Sequence, residues 1–177
     1  FAFRTLGINK DKVMNNGHYR HFGKLMGTQV EYASHQSEES DYFSSDSEYL
    51  SIIELAKARG VSTREQFDQN EHAGDVEWHL LEAIDRGLKQ YKLDYGLLDF
   101  SDMLTQAIEN ATFPRFKVIF IDEAQDLSHL QWKLVQKLTQ HSEDVYIAGD
   151  DDQAIFRWAG ADVEHFRKLN GHIEVLK

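Results

Sequence analysis

Val118-Ile119-Phe120-Ile121-Asp122-Glu123-Ala124-Gln125-Asp126 and Val145-Tyr146-Ile147-Ala148-Gly149-Asp150-Asp151-Asp152-Gln153 are two short apolar runs that each end abruptly in carboxylates. Such runs, bounded by turn chemistry, read as buried parallel strands. In an open parallel sheet, ligands bind beyond the carboxyl ends of the strands. Carboxylates delivered to that edge suit a metal–phosphate site. The pair points to an α/β fold and to nucleotide hydrolysis.

Working outward, the pattern from Lys117 onward predicts strand 117–121, helix 128–140, strand 144–148, helix 162–169 and a last strand 172–176. A β-α-β-α-β succession implies parallel pairing with right-handed crossovers. Upstream the chain reads as helical. Trp78, Leu81, Ile84 and Leu88 recur at helical spacing within 75–92. Leu97 to Asn110 carries Phe100, Met103, Leu104, Ala107 and Ile108 on one side, and Leu50, Ile53, Leu55 and Ala58 do the same before Gly60. Ser62 followed by Glu65 resembles a capping box that opens a short helix. Residues 10–33 are compatible with helix, interrupted by Gly17, Gly23 and Gly27. Ser34 to Ser47 is rich in Ser, Asp and Glu and is expected to be a solvated or mobile loop. Pro114, the one proline, sits in the link to the first strand of the α/β half.

Bulk properties narrow the class. A chain of 177 residues can bury a core as one domain, or as one domain with an insertion. No apolar stretch approaches the roughly 18 residues that span a bilayer, so no membrane partner is expected. Cysteine is absent, which excludes disulfides and thiolate zinc sites and fits a cytoplasmic, reducing compartment. The start, Phe1-Ala2-Phe3-Arg4, has neither an initiator Met nor a signal-peptide apolar region, and the chain is expected to be a fragment. A net charge of −11 disfavours a purely electrostatic DNA clamp, since phosphate neutralisation needs Lys and Arg. Single-strand binding by stacking aromatics stays open.

The strand ends carry the chemistry. A carboxylate such as Asp122 can hold Mg²⁺ with few protein ligands plus phosphate oxygens. Its neighbour Glu123 can orient and deprotonate a water. The simpler reading is that both merely end the strand before the helix at Ser128. At the second strand, Gly149 permits a tight turn and Asp150 and Asp152 add carboxylates. Gln153 can contact a terminal phosphate without adding repulsion. Phe156 and Trp158 follow as a candidate base-stacking surface, against the commoner fate of aromatics, which is core packing.

At this point the residues resemble a known family. Asp122-Glu123-Ala124-Gln125-Asp126, together with the run from Gly149 to Asp162, resembles motifs II and III of UvrD/Rep-like superfamily 1 DNA helicases. Leu98-Asp99-Phe100-Ser101-Asp102-Met103-Leu104 is similar to the segment that re-enters the first motor domain before motif II. Phe1 to Leu6 resembles the stretch after the threonine–histidine motif that contacts DNA. The resemblance covers about half the chain. It implies a partial RecA-like parallel sheet with helices, plus an inserted all-helical subdomain. In that scheme residues 1–8 are the tail of an upstream motor-domain element, 9–95 the helical insertion and 96–177 the C-terminal part of the first motor domain.

The resemblance also implies roles. Asp122 would bind the Mg²⁺ of ATP, and Glu123 would activate the hydrolytic water. Gln153 would contact the γ-phosphate and couple its loss to motion. Trp158, and more weakly Phe156, would stack on single-stranded DNA. The intact protein would be an ATP-dependent DNA helicase or translocase, with further helicase domains in the same polypeptide. The segment alone, without a phosphate loop, is expected to be inactive. Ala154, Phe156 and Ala159 stand where the family usually has Ser, Tyr and Arg. Stacking needs only a ring, so Phe156 should still serve.

Other patterns carry less. Gly17 to Gly23-Lys24-Leu25 mimics a phosphate loop, but its spacing is one residue too long and Leu25 lacks the hydroxyl. His18 and His21 form an H-x-x-H with no third ligand nearby. The acidic run Glu38 to Glu48 reads as a solvated loop. Two rivals remain at this level. One is a two-metal nuclease or polymerase using Asp122, Glu123, Asp150 and Asp152. The other is a non-catalytic interaction module with a motor-domain fold.

Overall fold

The computed structural model describes residues 7–27, 32–33, 44–45, 48–69 and 76–175. It is a mixed helix–strand structure in which the chain divides into two compact units, one ending at Thr112 and the other beginning at Phe113.

In the first unit, α1 (Asn16–Met26) opens with a reciprocal cap. The Asn15 side chain accepts from the His18 amide, and His18 Nδ1 accepts from the Asn15 amide. Gly27, in the left-handed region, closes the helix. Gly17, Gly23, Lys24 and Leu25 all lie inside α1, so the near-match to a phosphate loop has no loop geometry. His18 is the cap and His21 Nδ1 pairs with the Tyr91 hydroxyl at 3.0 Å, which gives both histidines structural work.

Strands β1 (Tyr32–Ala33) and β2 (Ser44–Ser45) form a short antiparallel ladder. Tyr32 and Ala33 are thus strand where the sequence read as helix. The unit expected to be all-helical also carries a ladder, within which Ser44 and Ser45 are paired strand. The remainder of the expected loop over 34–47 lies outside the described residues, as does the 1–6 part of the N-terminal resemblance. The acidic run from Glu38 lies there too, apart from Ser44, Ser45 and Glu48.

Four more helices follow: α2 (Glu48–Arg59), α3 (Thr63–Asp68), α4 (Trp78–Tyr95) and α5 (Phe100–Asn110). The Ser62–Glu65 capping box forms as expected at the start of α3. Tyr19 and Phe22 of α1, Leu50, Ile52 and Ile53 of α2, and Leu81, Ile84 and Leu88 of α4 make one core. Full burial of one such aliphatic side chain contributes roughly 1.5–3 kcal/mol. Gly87 lets α1 and α4 approach closely, since a Cβ there would lie 3.0 Å from Met26 Sδ.

A buried charge cluster ties α5 to this unit. Lys57 Nζ of α2 lies 2.5 Å from Asp99 Oδ2, and Lys92 Nζ of α4 donates to Asp99 Oδ2 at 2.7 Å and to Asp102 Oδ2 at 2.5 Å. Asp99 and Asp102 are also the capping box of α5. This cluster lies wholly within the first compact unit, which runs to Thr112.

The second unit holds β3 (Phe116–Ile121), α6 (His129–Thr139), β4 (Ser142–Ile147) and α7 (Val163–Arg167). Strands β3 and β4 are parallel, with Val118 opposite Asp144 and Ile121 opposite Ile147. Two expectations need correction here. Residues 172–175 are not strand, and Ile173 is 76% exposed. An apolar alternation makes a strand only where a neighbour pairs its backbone, and none does among the described residues. The strands are also not buried throughout. Phe120 and Tyr146 stack on each other at 5.1 Å and remain exposed, because no described residue covers them.

Candidate functional site

The parallel register places the two acidic strand ends side by side. The Ala148 amide donates to the Ile121 carbonyl at 2.8 Å, and the Ala124 amide donates to the Ala148 carbonyl at 3.0 Å. The ladder thus continues one step past each strand. Asp122-Glu123 and Gly149-Asp150 emerge together at the carboxyl edge, where the sequence placed them.

Glu123 is the one non-glycine residue with positive φ among the described residues, at 51°. Holding a side-chain-bearing residue in the left-handed region costs of order 1–3 kcal/mol and persists only where the surroundings enforce it. Immediately after it, Ala124–Asp126 turns as a single 3-10 turn. Ser128, whose side chain accepts from the Gln131 amide, then starts α6.

Gln125 was not singled out in the sequence, because an amide among carboxylates has no acid–base chemistry of its own. In the fold it is 1% exposed and joins the two strand ends. Its Nε2 donates to Glu123 Oε2 at 2.7 Å, and its Oε1 accepts from the Asp150 amide at 2.9 Å. Gly149 is required beside it. A Cβ at 149 would stand 2.6 Å from Gln125 Oε1 and 2.9 Å from Phe166 Cζ. The available sequence signal was a buried-type amide two residues after Glu123, matched by a glycine at the end of the next strand.

Asp122 is exposed, and its Oδ1 accepts from the Glu123 amide at 3.0 Å. Among the described residues no group bonds Oδ2, which leaves one oxygen of this exposed carboxylate without a hydrogen-bond partner. A single carboxylate at a strand end fits Mg²⁺, which keeps most of its shell in water and phosphate oxygens. Asp126 is partly buried with its Oδ1 unpaired among the described residues. Burial first, and then the charge of Glu123, raise its carboxyl above the usual range.

In the second motif, Asp151–Gln153 forms a 3-10 turn capped by Asp150. Asp150 Oδ1 accepts from the Asp152 amide at 3.0 Å, and Asp150 Oδ2 accepts from Gln153 Nε2 at 2.7 Å. Arg167 Nε of α7 donates to Asp151 Oδ2 at 2.7 Å, bracing the turn from outside. Asp150 and Glu123 thus spend carboxylate oxygens on backbone and amide donors. Among the described residues no three acidic or histidine side chains, Asp122, Glu123, Asp150 and Asp152 included, gather as the cluster that a two-metal nuclease would use.

The aromatic segment is held by its flanks. The Asp162 amide donates to the Leu127 carbonyl at 2.8 Å, Ala161 bridges Ser128, and the Asp162 side chain caps α7 through the His165 amide. Just before these anchors Trp158 is 66% exposed, while Phe156 is half-buried with its ring centroid 6.5 Å from that of Trp158. Core packing is thereby excluded for Trp158 within this unit. Trp132 of α6 is the aromatic that fills the core, against His165.

No helix among the described residues is long and apolar enough to cross a membrane. Comparison with known proteins gives concordant matches. The chain is 35% identical over 83 residues to DNA helicase II of Escherichia coli (strain K12), covering 42% of this chain and 12% of the relative. It is 35% identical over 77 residues to the ATP-dependent DNA helicase PcrA of Bacillus subtilis (strain 168), covering 37% and 10%. It is 31% identical over 88 residues to the ATP-dependent DNA helicase Rep of Buchnera aphidicola, covering 45% and 13%. The matched part is thus a small fraction of each relative's length. The family model for the UvrD/REP helicase N-terminal domain matches residues 9–174, nearly the whole chain. The chain therefore belongs to the UvrD/REP helicase N-terminal domain family.

Proposed function

We propose that this chain is part of the first, RecA-like motor domain of an ATP-dependent DNA helicase or translocase, with residues 9–95 as a helical insertion. In this reading the intact protein couples ATP hydrolysis to movement on single-stranded DNA. The observation that carries it is the pairing of Asp122-Glu123 with the Gly149–Gln153 turn at one sheet edge, five residues before an exposed Trp158.

Asp122 would hold Mg²⁺ through the carboxylate oxygen that accepts no hydrogen bond among the described residues. The chemistry that the ion would supply there is charge neutralisation at the phosphates of ATP. Glu123 accepts a proton from a water aligned for attack. The Gln153 side chain, an uncharged donor and acceptor, exchanges its bond to Asp150 for one to a terminal phosphate. Trp158, with Phe156 behind it, offers a ring face to an unstacked base. The distance in sequence from Gln153 to Trp158 is short and the segment is anchored at both ends, so a displacement of the turn is passed to the base-stacking ring.

The test is ATP turnover by the intact protein. Glu123→Gln should abolish DNA-stimulated hydrolysis while leaving ATP binding in place. The chain by itself should show no turnover. Robust hydrolysis by the Glu123→Gln protein would overturn the assignment.

A further inference from the structure

We propose that Gln125 is the positioning residue of this site: it aims the Glu123 carboxylate and couples it to the Gly149–Gln153 turn. The proposal rests on the reading of Glu123 as the water-activating group, and deepens it.

Gln125 is anchored at both ends of one buried amide. Nε2 holds Glu123 Oε2 at 2.7 Å, and Oε1 takes the Asp150 amide at 2.9 Å. Asp150 in turn accepts from Gln153 Nε2 at 2.7 Å. The bonds run without interruption from Glu123 through Gln125 and Asp150 to Gln153. Release of Gln153 from Asp150 frees Asp150 to shift, and the shift reaches Glu123 through a side chain that has no room to move.

Glutamine is suited to this on three counts. It has a donor at one position and an acceptor at the other, whereas an ionised Glu has no donor. It is neutral, so it fixes a carboxylate without quenching its basicity, as a Lys or Arg would. Its length matters too, because Asn is one methylene shorter and could not reach both partners. The positive φ of Glu123 adds a reason for such a restraint, since the backbone there is not in a relaxed well.

Two variants of the intact protein separate the two bonds. Gln125→Glu keeps an acceptor for the Asp150 amide but turns a carboxylate toward Glu123. Gln125→Met removes both bonds, and the longer 3.5 Å bond from Nε2 to Asp126 Oδ2, at similar volume. Both should lower kcat for ATP by at least about tenfold with KM for ATP within about twofold, the signature of an interaction used in the transition state. In the isolated chain, hydrogen exchange at the Asp150 amide should accelerate in Gln125→Met and stay near the parent rate in Gln125→Glu. Folded variants with kcat within about twofold of the parent, or a loss confined to KM, would overturn the proposal. Loss of fold in both would also overturn it, assigning Gln125 to packing alone. A Glu123→Gln protein that still turns over ATP would instead sink the reading of Glu123, leaving the Asp150 exchange result to decide whether Gln125 holds the turn.

Discussion

Lys92 Nζ donates to Asp99 Oδ2 at 2.7 Å, joining the last turns of α4 to the cap of α5 inside a cluster shared with Lys57 and Asp102. Burial works against ionising Asp99, but the charges and hydrogen bonds of Lys57 and Lys92 outweigh it and hold the carboxyl well below the usual range. Burial likewise opposes the charge on Lys57, and Asp99 and Asp102 outweigh it and raise that ammonium. A depressed carboxyl stabilises the fold above its unfolded pKa, about 3.9, and loses that contribution as pH falls through the folded value. A raised lysine stabilises below about 10.4 and loses its contribution as pH rises through the folded value. The first unit should be most stable between those limits and weaken on either side, as read by urea melts across pH. Asp99→Ala leaves two lysines short of a partner and removes a cap, and should cost roughly 3–5 kcal/mol.

Gly149→Ala should destabilise the second unit by about 1–3 kcal/mol, the usual cost of overpacking. The added Cβ meets Gln125 Oε1 and Phe166, and the Gln125 amide is pinned by hydrogen bonds at both Oε1 and Nε2. A thermal melt that matches the parent would show that the turn has slack that these contacts deny.

Trp158→Ala should weaken single-stranded DNA binding by the intact protein by about 1–3 kcal/mol, the measured scale of one base–aromatic stack. Because Trp158 is largely exposed, its melting temperature should not change. Phe156→Ala should affect both, since its ring is half-buried. Fluorescence anisotropy with a labelled oligonucleotide, beside a melt, separates the two.

Ser62→Ala should cost about 0.5–2 kcal/mol. Its Oγ accepts from the Glu65 amide at 3.1 Å, while Glu65 Oε2 accepts from the Ser62 amide at 2.8 Å. The Ser62 amide and hydroxyl hold the Glu65 carboxyl below its usual range. Denaturant midpoints of parent and variant measure the loss.

The helices were legible where spacing and caps agreed. Leu81, Ile84 and Leu88 sit three or four residues apart and are buried together, and Ser62–Glu65 announced its own cap. In α2 Leu50 and Ile53 are buried as expected, but Ile52 and Ala56 complete the buried set and the expected Leu55 and Ala58 are only partly buried. A helix that touches α3, α4 and α5 buries more than one stripe, and a single-face reading cannot anticipate that. Phe100 read as core and is exposed, for an amphipathic pattern reports a face only when something covers it.

Local chemistry alone determined the two strand ends: apolar runs, abrupt carboxylates and a glycine where the backbone must turn. It also determined the family, through the order of residues from Gly149 to Asp162. What only the tertiary structure decided is which groups meet across sequence. Gln125 lies 25 positions from Asp150 and Lys57 lies 42 from Asp99. Hydrogen bonds and buried ion pairs act over about 3 Å, and no one-dimensional pattern records which side chains the β3–β4 register and the helix packing bring within that distance.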